Sequence, residues 1–187
     1  VDNIVVKDIK RQAFTFDLFY DKSLPEGPVT EKTPCFRNIH ISNVTGTQVK
    51  QAGMILGINE MPIDNLTFNN INIEAETGFD ITTAKNIEFH NVDISTTKGA
   101  SFNVKQSSNL MFENIKSIKP IANTPILKID NAQNIVVYNC FPMMPLDVFA
   151  SVTGADAKGI VFVNNHFANA KRVVDVDKAT QGAVVIK

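Results

Sequence analysis

A seven-residue phrase, Asn-Ile-x-Phe-x-Asn-Ile, returns along this chain with small changes. A repeat restricts a fold strongly, because each unit must bury its apolar side against copies of itself. The copies read Asn3-Ile4-Val5-Val6-Lys7-Asp8-Ile9, Asn38-Ile39-His40-Ile41-Ser42-Asn43-Val44, Asn65-Leu66-Thr67-Phe68-Asn69-Asn70-Ile71 and Asn86-Ile87-Glu88-Phe89-His90-Asn91-Val92. Then follow Asn109-Leu110-Met111-Phe112-Glu113-Asn114-Ile115, Asn134-Ile135-Val136-Val137-Tyr138-Asn139-Cys140 and a drifted Gly159-Ile160-Val161-Phe162-Val163-Asn164-Asn165. The copies start at residues 3, 38, 65, 86, 109, 134 and 159, so they lie 35, 27, 21, 23, 25 and 25 residues apart. Most of these steps suit one turn of a solenoid built from three short strands. The longest holds an insertion, residues 21–34, rich in proline and charge.

Within each copy the second and fourth positions are apolar, which is the period of a strand with one buried face. The third and fifth are mixed and polar and are expected to face solvent. The sixth is Asn in six copies and Asp8 in the first, and an apolar residue follows at once. The chain is therefore expected to bend there and begin another strand. Asn suits such a bend because it tolerates left-handed backbone angles and bonds nearby backbone groups. Stacked coils would also let the side-chain amides bond along the stack. An upstream apolar pair, Phe79/Ile81, Phe102/Val104 and Leu127/Ile129, marks a third strand per coil. These features predict an all-β chain: a right-handed parallel β-helix of about seven coils, with an Asn column at one bend. A leucine-rich repeat also carries a positional Asn, but it needs denser leucine and a helix in each unit, and no period of 3.6 is present.

Composition narrows the function classes. A net charge of -1, with acids and bases interspersed, gives no argument for nucleic acid as partner. No apolar run is long enough to span a membrane, and the N-terminus has no signal-peptide pattern. Cys35 and Cys140 would lie four coils apart. At about 4.8 Å per coil that is roughly 19 Å, well beyond the reach of a disulfide, so both are expected as free thiols.

The whole chain, 1–187, is expected to form one parallel β-helix domain. The first copy begins at Val1 with nothing before it to cover the open core and strand edge. This predicts the C-terminal part of a longer solenoid, or contact with another chain at the first coil. Ala183-Val184-Val185-Ile186 is expected to be a closing strand.

Residues 16–66 resemble glycoside hydrolase family 28, the polygalacturonase family. The likeness rests on Phe16-Asp17-Leu18-Phe19-Tyr20, then Pro28-Val29-Thr30-Glu31-Lys32-Thr33-Pro34, then Phe36-Arg37-Asn38-Ile39, then Gly57-Ile58-Asn59-Glu60-Met61-Pro62-Ile63. Up to about Pro120 the coils look like the family's C-terminal coils; beyond that the likeness is generic. The resemblance implies a right-handed parallel β-helix, inverting hydrolysis of galacturonan by aspartates, and a secreted or periplasmic location. No His/Cys spacing fits a zinc site and no Gly-rich loop has the phosphate-binding pattern, so no metal and no cofactor is expected. The family's motifs Asn-Thr-Asp, Asp-Asp, Gly-His-Gly and Arg-Ile-Lys are not in this sequence. The resemblance therefore implies catalytic coils ahead of the segment matching Val1, and no catalytic residue in this chain. It assigns one substrate-binding residue, Tyr20, at the end of a strand that lines a sugar subsite.

Other constellations are set aside. Asn91-Val92-Asp93 imitates a catalytic motif, but Asn91 belongs to the bend column. Asp175 and Asp177 share a strand face about 7 Å apart, a spacing an inverting pair can use, yet they lie far from the resembling region. His40, His90 and His166 fall in three different columns and are not expected to converge on a metal. Asn43-Val44-Thr45 and Asn65-Leu66-Thr67 fit the glycosylation sequon but use repeat residues. The expected function is the C-terminal portion of a polygalacturonase-like hydrolase acting on pectin, inactive by itself. The alternatives are a non-catalytic glycan-binding or scaffold solenoid and, last, a β-helical lyase, for which the calcium-binding Asp cluster is missing.

Overall fold

A computed structural model describes residues 1–19 and 28–187. Thirteen strands form among them: β1 Asp2–Lys7, β2 Gln12–Asp17, β3 Arg37–Leu56, β4 Ile63–Thr82, β5 Ala84–Thr96, β6 Phe102–Lys105 and β7 Ser108–Glu113. They continue as β8 Leu127–Asp130, β9 Gln133–Tyr138, β10 Leu146–Thr153, β11 Lys158–Val163, β12 Ala170–Val176 and β13 Val184–Ile186. Every strand ladder is parallel. Among the described residues the one helical element is a single 3-10 turn, Lys178–Thr180.

The ladders fall on three sides of a coil. Sheet A lies between the two Asn positions of the phrase and holds Ile39, Leu66, Ile87, Leu110, Ile135, Ile160 and Val184 in register. Sheet B follows the second Asn and aligns Ile4, Val44, Ile71 and Val92. Sheet C is the expected third strand and aligns Phe16, Ile55, Ile81, Val104, Ile129, Val152 and Val176. The long strands β3 and β4 run round the corners together, with one shift of register between Gly46 and Val49.

The first copy of the phrase sits elsewhere than expected. Ile4 pairs with Val44 and not with Ile39, so Asn3 stands beside Asn43 and β1 belongs to sheet B. Its apolar residues fit either side of a coil, and hydrogen-bonding partners decide between them. The stack therefore has six complete coils, with part of a coil at each end, instead of seven. The strand expected near the C-terminus is present: β13 pairs with β11 as the sheet A strand of the next turn.

Both Asn columns are corners. Of eighteen non-glycine residues with positive φ among the described residues, fourteen are Asn. Asn38, Asn65, Asn86, Asn109 and Asn134 open sheet A, and Asn43, Asn70, Asn91, Asn114, Asn139 and Asn164 close it, all with φ between 48° and 58°. This region costs an L-residue roughly 1–2 kcal/mol, which Asn offsets best among residues with a side chain. The amides then bond up the stack: Asn65 Nδ2 donates to Asn38 Oδ1 at 2.8 Å, Asn109 to Asn86 at 3.1 Å and Asn134 to Asn109 at 3.1 Å. In the second column Asn70 donates to Asn43 at 2.6 Å and Asn114 to Asn91 at 2.8 Å. Where the first column ends, Gly159 takes the corner, and a Cβ there would stand 2.8 Å from Asn134 Oδ1.

The core is a double stack of aromatic rings. In sheet A, Phe68, Phe89 and Phe112 lie face to face with centroids 4.9 and 5.2 Å apart, the step of one coil. Phe79 and Phe102 of sheet C meet them edge-on at 5.2–5.5 Å. All five are fully buried. Such pairs add about 0.5–1.5 kcal/mol each beyond area burial. Gly53 is the space that lets the stack continue. A Cβ there would fall 2.2 Å from the Phe79 ring, and Phe14 and Phe79 stack at 5.9 Å across the coil that Gly53 occupies.

Coil length varies mainly between sheets B and C, where residues 97–101 make the turn in one coil and residues 117–126 in the next. The turn from sheet C to sheet A is short in the middle coils, a single Thr83 after β4.

Two outcomes test these assignments by urea unfolding. Asn114→Ala should lose about 2 kcal/mol, from backbone strain and a lost hydrogen bond, and Asn114→Gly about half of that, because Gly removes only the bond. Equal losses would deny the left-handed corner. Gly53→Ala should destabilise by about 1–3 kcal/mol through overpacking, against the gain that strand propensity alone predicts for replacing a glycine.

Candidate functional site

Sheet C presents a polar exterior from its Asp80 coil onward, after Met54 and Leu56 in the coil before. Its outward positions follow from the strand period: they flank the inward pair Phe79/Ile81 and its equivalents. One row aligns Asp80, Asn103, Lys128, Ser151 and Asp175 on successive coils, and a second aligns Thr82, Lys105, Asp130 and Thr153. A shallow trough of about 550 Å³ runs over these residues. Hydrogen bonds run along it: Gln12 Nε2 donates to Gln51 Oε1 at 3.0 Å, Gln51 Nε2 to Asp80 Oδ2 at 2.7 Å and Asn103 Nδ2 to Asp80 Oδ1 at 2.9 Å. Thr153 Oγ1 donates to Asp130 Oδ1 at 3.2 Å. Lys105 and Lys128 meet no carboxylate within 4.0 Å among the described residues. The face thus offers fixed acceptors, fixed donors and two uncommitted cations on neighbouring coils.

One end of this face opens into a hollow of about 220 Å³, lined by Leu18, Phe19, Gly57, Asn59, Thr83 and Gln106 among others. The turn at residues 57–62 shapes it. Gly57 has no room for a side chain, since a Cβ there would lie 2.1 Å from the Thr83 carbonyl oxygen. Thr83 and Gln106 both hold left-handed backbone, with φ of 52° and 47°. For a β-branched residue such as Thr83 this is a strained conformation. Phe19 is 44% exposed at the rim. Tyr20, the expected substrate-binding residue, follows it directly and lies outside the described residues.

The residues set aside from the sequence have other places. Asp93 is buried in sheet B beneath residues 117–119, where Ser95 Oγ and the Ile118 N–H reach its carboxylate only at 3.4 Å. Asp175 faces outward on sheet C and takes two bonds from the Arg172 guanidinium at 2.6 and 3.0 Å. Asp177 accepts from the Thr180 N–H at 3.0 Å at the start of the 3-10 turn and from the Gly154 N–H at 3.2 Å. These bonds hold both carboxyls below the usual carboxylate range. A general acid for glycoside cleavage needs the opposite shift.

The three histidines do not meet. His40 and His90 stand on different rows of sheet A, and His166 stacks on Phe141 at 5.1 Å. No group of three or more metal-binding side chains occurs among the described residues. His90 lies between two carboxylates, with Nδ1 2.7 Å from Glu113 and Nε2 2.9 Å from Glu88. Cys35 and Cys140 are both free, and burial pushes the Cys140 thiol up to about 12.

Of the outward sheet C residues, only Asp175 is singled out in the sequence. The signal for the rest was present. Asp80, Thr82, Asn103, Lys105, Lys128 and Asp130 occupy the alternate positions of the same three upstream strands. The sequence matches no protein-family model, no curated protein and no solved structure.

Two titrations follow from these surroundings. Partial burial of His90 opposes protonation, but its bonds to Glu88 and Glu113 and their charges outweigh this, so its pKa is raised. The stability it adds is complete below the ordinary histidine value of about 6.5 and is lost as pH rises through the folded value. His90→Gln should flatten stability over that window. Burial raises Asp93, so stability falls as pH climbs from about 3.9 through its folded value. Asp93→Asn should therefore stabilise at neutral pH and be nearly neutral in acid. Thermal melts across pH check both.

Proposed function

We propose that this chain is the C-terminal, glycan-holding portion of a polygalacturonase-like hydrolase and binds galacturonan along the outside of sheet C. The observation carrying the reading is the run of donors and acceptors over successive coils, with Lys105 and Lys128 free to meet uronate carboxylates. A polymer of sugar acids presents hydroxyls and a carboxylate at each ring, and a repeating polar surface answers both. The resemblance of residues 16–66 to glycoside hydrolase family 28 gives the substrate class and the secreted or periplasmic setting. It also assigns bond cleavage to coils bearing the family's aspartate motifs, which this sequence does not contain.

A second reading, a non-catalytic solenoid that binds glycan, draws on the carboxylates of the face. Asp80 is held by Gln51 and Asn103, and Asp130 by Thr153 and Asn131. Groups bonded in this way orient a ligand better than they transfer a proton.

Titration of the isotope-labelled protein with trigalacturonate tests the site. The amide resonances of Asn103, Lys105 and Lys128 should shift, and the double substitution Lys105→Ala/Lys128→Ala should weaken binding there about tenfold, at about 0.2–1 kcal/mol per exposed ion pair. Immobile resonances at millimolar ligand would overturn the assignment. Release of reducing sugar from polygalacturonate by the pure chain would overturn the placement of catalysis outside it.

A further inference from the structure

A second groove, separate from sheet C's outer face, lies at the corner where sheet B turns toward sheet C. Its volume is about 840 Å³, within the usual range for a small-ligand site. Several features of the chain build it. Strand β3 carries a register irregularity between Gly46 and Val49, with Gln48 in left-handed backbone, which sets one extra residue at this corner. Residues 117–119 rise over Asp93 and form a wall, tied two coils back by Lys119 Nζ to Glu74 Oε1 at 2.6 Å. Lys98 Nζ bonds Glu76 Oε1 at 2.5 Å beside it. Ile9, Val49 and Ala75 give an apolar floor, and Ser95, Thr96 and Thr97 add hydroxyls.

The charge here is unlike that of the whole chain. Lys10, Lys50, Lys98, Lys119 and the adjoining Arg11 face only Glu74 and Glu76, a local excess of three positive charges on a chain whose total is -1. Lys10 and Lys50 stand on neighbouring coils, linked by the Lys50 N–H donating to the Ile9 carbonyl at 2.9 Å. Neither has a carboxylate within 4.0 Å among the described residues. Coil stacking sets such neighbours about 4.8 Å apart, in a line along the solenoid axis.

The mixture of groups selects the ligand class. Phosphates of a nucleic acid carry no donors for Glu74 and Glu76, and the lining has no aromatic side chain for base stacking. A sugar acid suits every part. Its hydroxyls donate to the two glutamates, its carboxylates meet Lys10 and Lys50, and its C–H face covers the apolar floor. We propose that this corner is a second glycan site, taking a short linear oligosaccharide with carboxylate substituents, aligned with the solenoid axis. It stands independently of the reading of sheet C.

The same labelled, full-length chain tests it with two probes, trigalacturonate and its methyl ester. The amides of Thr96, Thr97 and Lys98 should shift with the acid and not with the ester. Lys10→Ala/Lys50→Ala should weaken binding at these amides at least fivefold while those of Asn103 and Lys128 respond as before. Lys10→Arg/Lys50→Arg should restore most of it. Higher salt should weaken binding further, as expected for exposed charges. Unmoved Thr96–Lys98 resonances, equal shifts with the ester, or an unchanged response in the alanine variant would each overturn the groove. A response confined to Asn103 and Lys128 would overturn the groove and leave the sheet C reading standing.

Discussion

Asparagine in left-handed backbone is the constraint on which the coil depends. Strands of four to six residues have little stability alone. They persist here because each corner returns the chain to the next sheet at a fixed angle and in fixed register. Asn43, Asn70, Asn91 and Asn114 do this at one corner, and Asn38, Asn65, Asn86 and Asn109 at the other end of the same strand. The side chain that lowers the conformational cost also bonds the coil beneath. The cost of the turn and the cohesion of the stack are thus met by one residue type, and the Phe68–Phe89–Phe112 stack can hold its 4.9–5.2 Å step.

Much of this architecture was legible. The period-two apolar positions gave sheet A, the bend Asn gave sheet B, and Phe79/Ile81 with its equivalents gave sheet C. What escaped was what depends on partners distant in sequence. Asn3 opens a phrase that resembles the others, and only the pairing of Ile4 with Val44 shows that it belongs to the second corner. The first Asn of the phrase looks like a strand residue until its φ is known. Asp93 reads as an outward position, and it is buried because residues 117–119 cross over it. Tyr20 rests on resemblance alone and lies outside the described residues, whereas the sheet C rows that hold Asp80 and Asp130 needed the third strand to be taken as a surface as well as a core.

The sides of the solenoid differ in character. Sheet C stays polar through its middle and C-terminal coils. The outer row of sheet A runs from His40, Thr67 and Glu88 into Met111, Val136, Val161 and Val185. On the same sheet Glu88 of this row and Glu113 of the next clamp His90 between them. Lys105 and Lys128 on sheet C, and Lys10 and Lys50 at the corner where sheet B turns toward it, stand on neighbouring coils without an ion pair among the described residues. A stack that repeats every coil nonetheless presents different chemistry on each side, because inward positions alone are bound by the packing of neighbours.

The turn between sheets B and C has a further consequence. It is where one coil uses residues 97–101 and the next 117–126. No ladder passes through these segments, and lengthening a surface loop costs little, about 0.6 kcal/mol for each doubling. The wall of the lysine groove is therefore made from the part of the coil least tied to the fold's stability. Descendants of this chain can recut that wall, deepen it or remove it, while the asparagine corners and the ring stack go on being inherited unchanged.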